Sequence, residues 1–370
     1  MFKAFVLWRI LLFVPVIAGV LFLPYRPNNS FTNIRQDISQ TSILNNPVIY
    51  PWANFDGVHY FSIAKSGYTY DGRFFPLYPG LVHLLGSLLG KTDEAFFIAG
   101  FLIANLSFLA ALHLLFKIIS TEYSEKIAKK TIVYLLCFPT SFFFGALYTE
   151  SLFLLLAISS FYFFSRNKYL LATLTGTFLS VTRVTGVLIL PGMLYQAFKD
   201  KNYLRATLLL MMPASILIFG FLCLKIWGDF LYFIHAQGTL TNGRTVSSLV
   251  LPPVTLFRYL KITGLFAVHQ FEWWIAMLEL ASFIFGLWAL FIVFKKSLSV
   301  NYQSFAWLAF LLPVLSGTLS ALPRYVLIIF PIFIALALIK SKRFGMIYPL
   351  ISLPLLFILV MLFSRGYYIS

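Results

Sequence analysis

Acidic residues are scarce in this chain: 12 Asp+Glu stand against 28 Lys+Arg in 370 residues, and only 11% of positions are charged. So thin a charged surface does not fit a water-soluble domain of this length. Cysteine is rarer still. Cys137 and Cys223 both fall inside apolar runs, which excludes a disulfide framework and a thiolate metal site. No group of His, Cys and acidic residues has metal-ligand spacing, and no Gly-rich loop suits a nucleotide phosphate. No cofactor is therefore expected, a metal requirement stays open, and a sugar donor, if there is one, should be lipid-linked. Long basic runs are also missing. The formal charge of +16 is dispersed in short clusters between apolar segments, which fits lipid headgroups and not nucleic acid.

What the chain has in abundance is apolar surface: 60% hydrophobic residues, 42 Phe and a mean hydropathy of +0.87. Repeated runs of about 20 apolar residues account for this, so an all-α polytopic membrane protein is expected. Charge-free runs give eleven candidate spans, near 5–24, 95–116, 131–148, 151–165, 169–182, 184–198, 206–224, 273–294, 302–322, 325–339 and 344–363. Residues 10–24 resemble a signal-peptide core after Lys3 and Arg9, but with spans following, an uncleaved anchor is expected. With a cytoplasmic N-terminus, 16 of the 28 Lys+Arg collect at the inner ends of spans, among them Arg9, Lys126, Lys129, Lys130, Lys340, Lys342 and Arg343. Residues 1–370 then form one membrane domain with two long loops, 25–94 and 225–272, on the outer or lumenal face.

Residues 169–198 are apolar except for Arg183, and thirty helical residues would reach about 45 Å, well past the ~30 Å hydrocarbon core. Residues 131–165 are interrupted only by Glu150. Both regions are expected as helical hairpins. Their tips, Tyr148-Thr149-Glu150-Ser151 and Thr182-Arg183-Val184-Thr185, would stop at or below the outer surface and leave a polar recess. Asp56, Glu150, Arg183 and Arg324 then share one side.

The first loop carries the densest chemistry. Trp52-Ala53-Asn54-Phe55-Asp56-Gly57-Val58-His59-Tyr60 is followed by Ile63-Ala64, Gly67-Tyr68 and Phe74-Phe75-Pro76-Leu77-Tyr78-Pro79. Asp56, His59, Tyr60 and Ile63 have the spacing of one helix face. Asp56 suits a general base that takes a proton from an acceptor hydroxyl, and equally an N-cap. His59 either assists Asp56, binds a phosphate or is a hydrogen-bonded structural histidine. Asp71-Gly72 has turn character. The segment from Phe75 to about Leu89, with Pro76 in its first turn and Tyr78 among its aromatics, is expected as a helix lying in the interface, anchoring or lining a lipid groove.

Charges within apolar runs are costly and usually partnered. Glu150 and Arg183 can pair with each other; alternatively Arg183 and Arg324, as permanently charged planar donors, bind the phosphate of a lipid-linked donor. Glu279 is expected as a buried protonated carboxyl or an ion-pair member. In the second loop, Gly228-Asp229-Phe230, Phe233-Ile234-His235-Ala236-Gln237 and Asn242-Gly243-Arg244 offer His235, Gln237 and Arg244 as donors for sugar or phosphate. The competing class is a lipid-linked-sugar flippase or other multi-span transporter using Glu150, Arg183 and Glu279, although no internal repeat supports it.

Taken together, the first-loop residues just quoted resemble the PIG-V-like mannosyltransferases, a family related to the enzyme that adds the second mannose of glycosylphosphatidylinositol anchors. The resemblance continues through Pro139-Thr140-Ser141-Phe142-Phe143, Tyr148-Thr149-Glu150-Ser151-Leu152-Phe153, Thr182-Arg183-Val184-Thr185-Gly186, His235-Ala236-Gln237, Arg324-Tyr325 and Phe330-Pro331. It implies a GT-C glycosyltransferase fold with a large first outer loop bearing short interfacial helices. It also implies a polyprenyl-phosphate-linked sugar donor, mannose above all, inversion at the anomeric carbon, and a lipid, glycan or protein acceptor. By the same resemblance Asp56 is the base, Arg183 and Arg324 are donor-phosphate candidates, and Glu150 holds a family position. One departure is Phe55, where many members have Trp before the Asp. Its compact length favours a bacterial plasma membrane over the endoplasmic reticulum.

Overall fold

The computed structural model describes residues 1–26, 32–36, 38–39, 41–69, 71–239 and 244–369. Asn242 and Gly243 lie outside the described residues. Eighteen α-helices are described and no strand among the described residues. The first half runs through α1 (Phe2–Leu11), α2 (Phe13–Phe22), α3 (Asp56–Ser66), α4 (Leu77–Leu88), α5 (Asp93–Glu122), α6 (Glu125–Cys137), α7 (Glu150–Ser165), α8 (Tyr169–Thr182) and α9 (Leu190–Lys199). The second half runs through α10 (Tyr203–Leu209), α11 (Ala214–Trp227), α12 (Tyr232–His235), α13 (Pro252–Leu265), α14 (Phe271–Lys295), α15 (Val300–Val314), α16 (Leu322–Ile328), α17 (Phe330–Ala337) and α18 (Lys342–Ser364).

Five segments among the described residues are long and apolar enough to cross a membrane: Phe2–Phe22, Asp93–Glu122, Tyr203–Trp227, Phe271–Lys295 and Lys342–Ser364. They mark a membrane protein. The other expected spans are shorter or broken helices, and the breaks have local causes. Pro139 disfavours helix at the residue before it, and Phe138 is indeed extended, ending α6 at Cys137, earlier than the 131–148 reading. Arg183 is extended between α8 and a 3-10 turn at Val184–Ile189, where the sequence placed a tip. Pro313 stands near the end of α15, and Pro331 follows the break at Ile329 that separates α16 from α17.

Two features were not read from the sequence. The second loop carries a 14-residue helix, α13, opened by Pro252 and Pro253, which accept the first helical positions readily. The surroundings of Arg9, in α1, are the other. This arginine is buried, with its guanidinium carbon 3.8 Å from the Trp52 ring centroid and 4.7 Å from that of Phe101. Stacking on aromatic faces supplies a cation with stabilisation that apolar side chains cannot.

The core runs along α5, α6, α7 and α17, where buried Ala residues allow close approach and Phe161 of α7 meets Phe330 of α17 with ring centroids 5.6 Å apart. Against it lies the irregular stretch 138–149. Its backbone bonds mostly within itself, as in Ser141 N to Phe138 O, and it is tied to the first loop: Leu147 N donates to Trp52 O at 2.7 Å, and the Tyr148 hydroxyl donates to Asn54 O at 2.8 Å. Asn54 Nδ2 donates in turn to Phe363 O at the end of α18. The start of α3 is therefore clamped between the break after α6 and the last helix.

Candidate active site

Phe55, the residue before α3, has φ +55°, a left-handed value unusual for a bulky side chain. Its ring is held by Phe363 and Tyr368, with centroids 5.6 and 5.2 Å away. Strain of this kind persists only where surrounding contacts over-determine it. Its effect is to place Asp56 as the first residue of α3, and no side-chain cap bond is made at this helix start. The carboxylate instead faces Arg324, whose Nη1 donates to Asp56 Oδ2 at 2.5 Å.

Arg324 is the hub of a charge chain. Its Nε lies 3.6 Å from Glu150 Oε1, and that same oxygen accepts from Arg183 Nη1 at 2.6 Å. Of the two sequence alternatives for Glu150, the ion pair with Arg183 is present, and Arg183 also faces the cavity. The order Asp56–Arg324–Glu150–Arg183 alternates in sign, so every charge has a counter-charge beside it, the condition for burying such groups. Arg324 is further enclosed by Phe143 and Tyr148, each 5.4 Å from its guanidinium carbon.

The turn before α16 sets Arg324 in place. Ala321 has φ +66°, Leu319 N donates to the Tyr259 hydroxyl at 3.0 Å, and that hydroxyl donates to Glu279 Oε2. Glu279 thus hydrogen-bonds a tyrosine behind the site and lies away from the cavity.

A cavity of about 660 Å³ opens over these residues, within the usual size of small-molecule sites. Asp56, His59 and Tyr60 enter it from one face of α3, as their spacing predicts; Ile63 is buried outside it. Arg183, Arg324, Gln237 and Arg244 also line it. Arg244 lies 5.8 Å from the Tyr325 ring centroid, to which Arg183 also comes within 5.2 Å, and donates to Ser320 O at 3.3 Å. It has no carboxylate partner among the described residues.

Three expected site residues lie elsewhere. Tyr78 is fully buried, donates to Gly100 O at 3.0 Å and backs Tyr60 with a ring contact, because Pro76 turns α4 against α5. His235 points outward, its Nδ1 2.6 Å from Asp229 Oδ2, while its neighbours Ile234 and Gln237 reach the cavity. Glu150 is buried behind Arg183 and Arg324 without lining the cavity. Conversely, Arg73, Phe74, Tyr325 and Tyr368 line it. Phe74 stood in the quoted first loop and Tyr325 beside Arg324; Arg73 was not singled out, and Tyr368 lies beyond the last helix and has no signal of its own.

The electrostatics are lopsided. Asp56 is the only acid among the lining residues, against Arg73, Arg183, Arg244 and Arg324. Burial pushes the Asp56 carboxyl up, but the Arg324 guanidinium, with His59 and Arg183 nearby, outweighs it and holds Asp56 below the usual carboxylate range. One wall is apolar, formed by Val184, Ile234, Val246, Leu249 and Leu312. No group of three or more His, Cys, Asp or Glu suited to a metal ion occurs among the described residues.

A family model described as Mannosyltransferase (PIG-V) matches residues 1–244, which include Asp56, His59, Glu150, Arg183, Gln237 and Arg244 and stop short of Arg324. No curated protein and no solved structure matches the chain.

Proposed function

The chain belongs to the PIG-V mannosyltransferase family, and we propose that it transfers mannose from a polyprenyl-phosphate-linked donor to a hydroxyl of a lipid, glycan or protein acceptor. The observation that carries this reading is one carboxylate, Asp56, on a cavity otherwise charged by arginines and bounded by an apolar wall. The apolar wall suits the isoprenoid chain. Arg183 and Arg324, with Arg244 near the same Tyr325 ring, suit the phosphate as planar, permanently charged donors.

In the transfer step, Asp56 accepts the acceptor's hydroxyl proton while that oxygen attacks the anomeric carbon. The bond from that carbon to the phosphate oxygen breaks, configuration inverts, and the departing phosphate keeps the electron pair. Arginines beside it stabilise the charge that grows there. The Arg324–Asp56 pair gives the step a built-in sequence. An arriving phosphate competes for Arg324, and a carboxylate that loses part of its counter-cation binds a proton more readily. The distribution of basic residues in the sequence supports a cavity on the outer or lumenal face.

Transfer of labelled mannose from polyprenyl-phosphate-mannose into membrane lipids and glycans tests the reading, with wild type and Asp56→Asn at matched expression. Incorporation by wild type alone is the expected result. Equal incorporation by both variants overturns Asp56 as base. No incorporation by wild type, together with movement of the donor across the bilayer, moves the protein to the carrier class.

A further inference from the structure

Asp71 has had no part in the chemistry so far, yet it is a buried carboxylate directly behind the cavity wall. Its Oδ2 lies 3.1 Å from His59 Nδ1. Arg73 grips it at both oxygens, Nε to Oδ1 at 2.8 Å and Nη2 to Oδ2 at 2.5 Å, and the Arg73 backbone N–H donates to Oδ1 at 3.0 Å. The imidazole of His59 is stacked on Phe74, with centroids 4.7 Å apart and planes 19° apart. Two contacts therefore restrain the ring: the Asp71 carboxylate beside Nδ1 and the Phe74 ring stacked on its face. His59, Arg73 and Phe74 all line the cavity beside Asp56, and Asp71 does not.

An ionised carboxylate only accepts hydrogen bonds, so the His59 nitrogen facing it, Nδ1, carries the proton. In the neutral ring the lone pair then belongs to Nε2. We propose that Asp71 is a positioning residue for the transfer, holding His59 in the tautomer and orientation in which Nε2 accepts a hydrogen bond from a sugar hydroxyl bound beside Asp56. This deepens the transferase reading and rests on it. His59 stands one helical turn from Asp56, so a sugar whose reacting hydroxyl reaches Asp56 can present a neighbouring hydroxyl to His59. The ionised state of Asp71 agrees with this arrangement: burial raises its pKa, but the hydrogen bonds from Arg73 and His59 outweigh burial and keep the carboxyl well below its ordinary range.

Two measurements test the proposal, both on the full chain in lipid nanodiscs. The first is a double-variant cycle of Asp71→Asn and His59→Gln, read as mannose transfer from polyprenyl-phosphate-mannose to extracted membrane lipids. Asp71→Asn is expected to lower the rate at saturating donor about 10- to 100-fold, the usual range for a group that orients a working imidazole. In the His59→Gln background the same change should cost no more than about twofold, because the group it acts through is gone. Losses that multiply in the double variant overturn the proposal, as does a higher donor KM at an unchanged saturating rate. The second is nitrogen NMR of imidazole-labelled protein. Wild type is expected to show His59 protonated at Nδ1, and Asp71→Asn to shift it toward the other tautomer. Wild-type His59 protonated at Nε2 alone overturns the proposal without any variant having to fold. Absence of transfer by wild type counts against the transferase reading, while the tautomer still judges the positioning.

Discussion

Two buried acids stand behind the cavity, Asp71 and Glu150, and each serves a pair of cavity-facing side chains. Asp71 holds His59 and Arg73, all within the local stretch 59–74. Glu150, at the start of α7, reaches Arg183 after α8 and Arg324 in α16, which the chain brings together from far apart. The first unit is one helix and the turn after it, so its geometry needs little from the rest of the molecule. The second ties three elements that lie far apart in the chain. Removing Asp71 should therefore disturb mainly the chemistry, and removing Glu150 should disturb chemistry and fold together.

The largest effect is expected where the two units meet. Asp56→Asn should lower transfer by about 100-fold or more, the span of a lost general base, and should lower Tm as well, because Arg324 loses its nearest counter-charge. Glu150→Gln should follow, since it leaves two buried guanidiniums short of a counter-charge. A stability loss of about 3–5 kcal/mol is expected, read as a fall in Tm of the protein in detergent. Asp71→Asn should lower stability less, by about 1–3 kcal/mol, because Arg73 is partly exposed and Asn still accepts one of its bonds. Equal losses for Glu150→Gln and Asp71→Asn would erase the distinction between the local and the long-range unit.

Smaller effects sharpen the same contrast. Arg244→Ala should raise the donor KM about tenfold and change the saturating rate little, as measured by varying polyprenyl-phosphate-mannose. Arg244 has no acidic partner among the described residues, so its loss leaves no buried carboxylate behind. The pH dependence is subtler. Both Asp71 and Asp56 have folded-state pKa values below the ordinary carboxylate value of about 3.9. The unfolded chain then binds protons first on acidification. Their contribution is fully present above that value and is lost as pH falls through it toward the folded values. Wild-type Tm should be flat in this respect above about pH 5 and decline in acid. The acid slope of Asp71→Asn should be shallower.

Much of the local unit was legible beforehand. The spacing of Asp56, His59 and Tyr60 placed all three on one helix face, and all three reach the cavity. Asp71 was visible only as a turn residue, because a sequence shows the turn but not the imidazole across from it. At Asp56 the cap and base alternatives had equal support; the structure puts Phe55 at the cap position and pairs Asp56 with Arg324 at 2.5 Å. Tyr78 and His235 were selected for their residue type and neighbourhood. Which side of α4 faces α5, and which side of α12 faces solvent, depends on helices far along the chain. Of the eleven candidate spans, the described residues hold five segments long and apolar enough to cross a membrane: apolar runs set where helices are allowed, while prolines and buried contacts decide where they stop.

The sequence by itself determined the membrane class, the helical break at Arg183 and the chemical face of α3. Each of these follows from hydropathy, backbone restriction and helical period, which act over a few residues. Only the tertiary structure decided that Arg324 would pair with Asp56 across 268 residues, that Glu150 would share itself between two arginines, and that Tyr368 would close the cavity. A buried charge requires a counter-charge, but any of several arginines meets that requirement in the sequence. The choice among them is made by distance in three dimensions, where Coulomb attraction in a medium of low polarity is strong enough to enforce it.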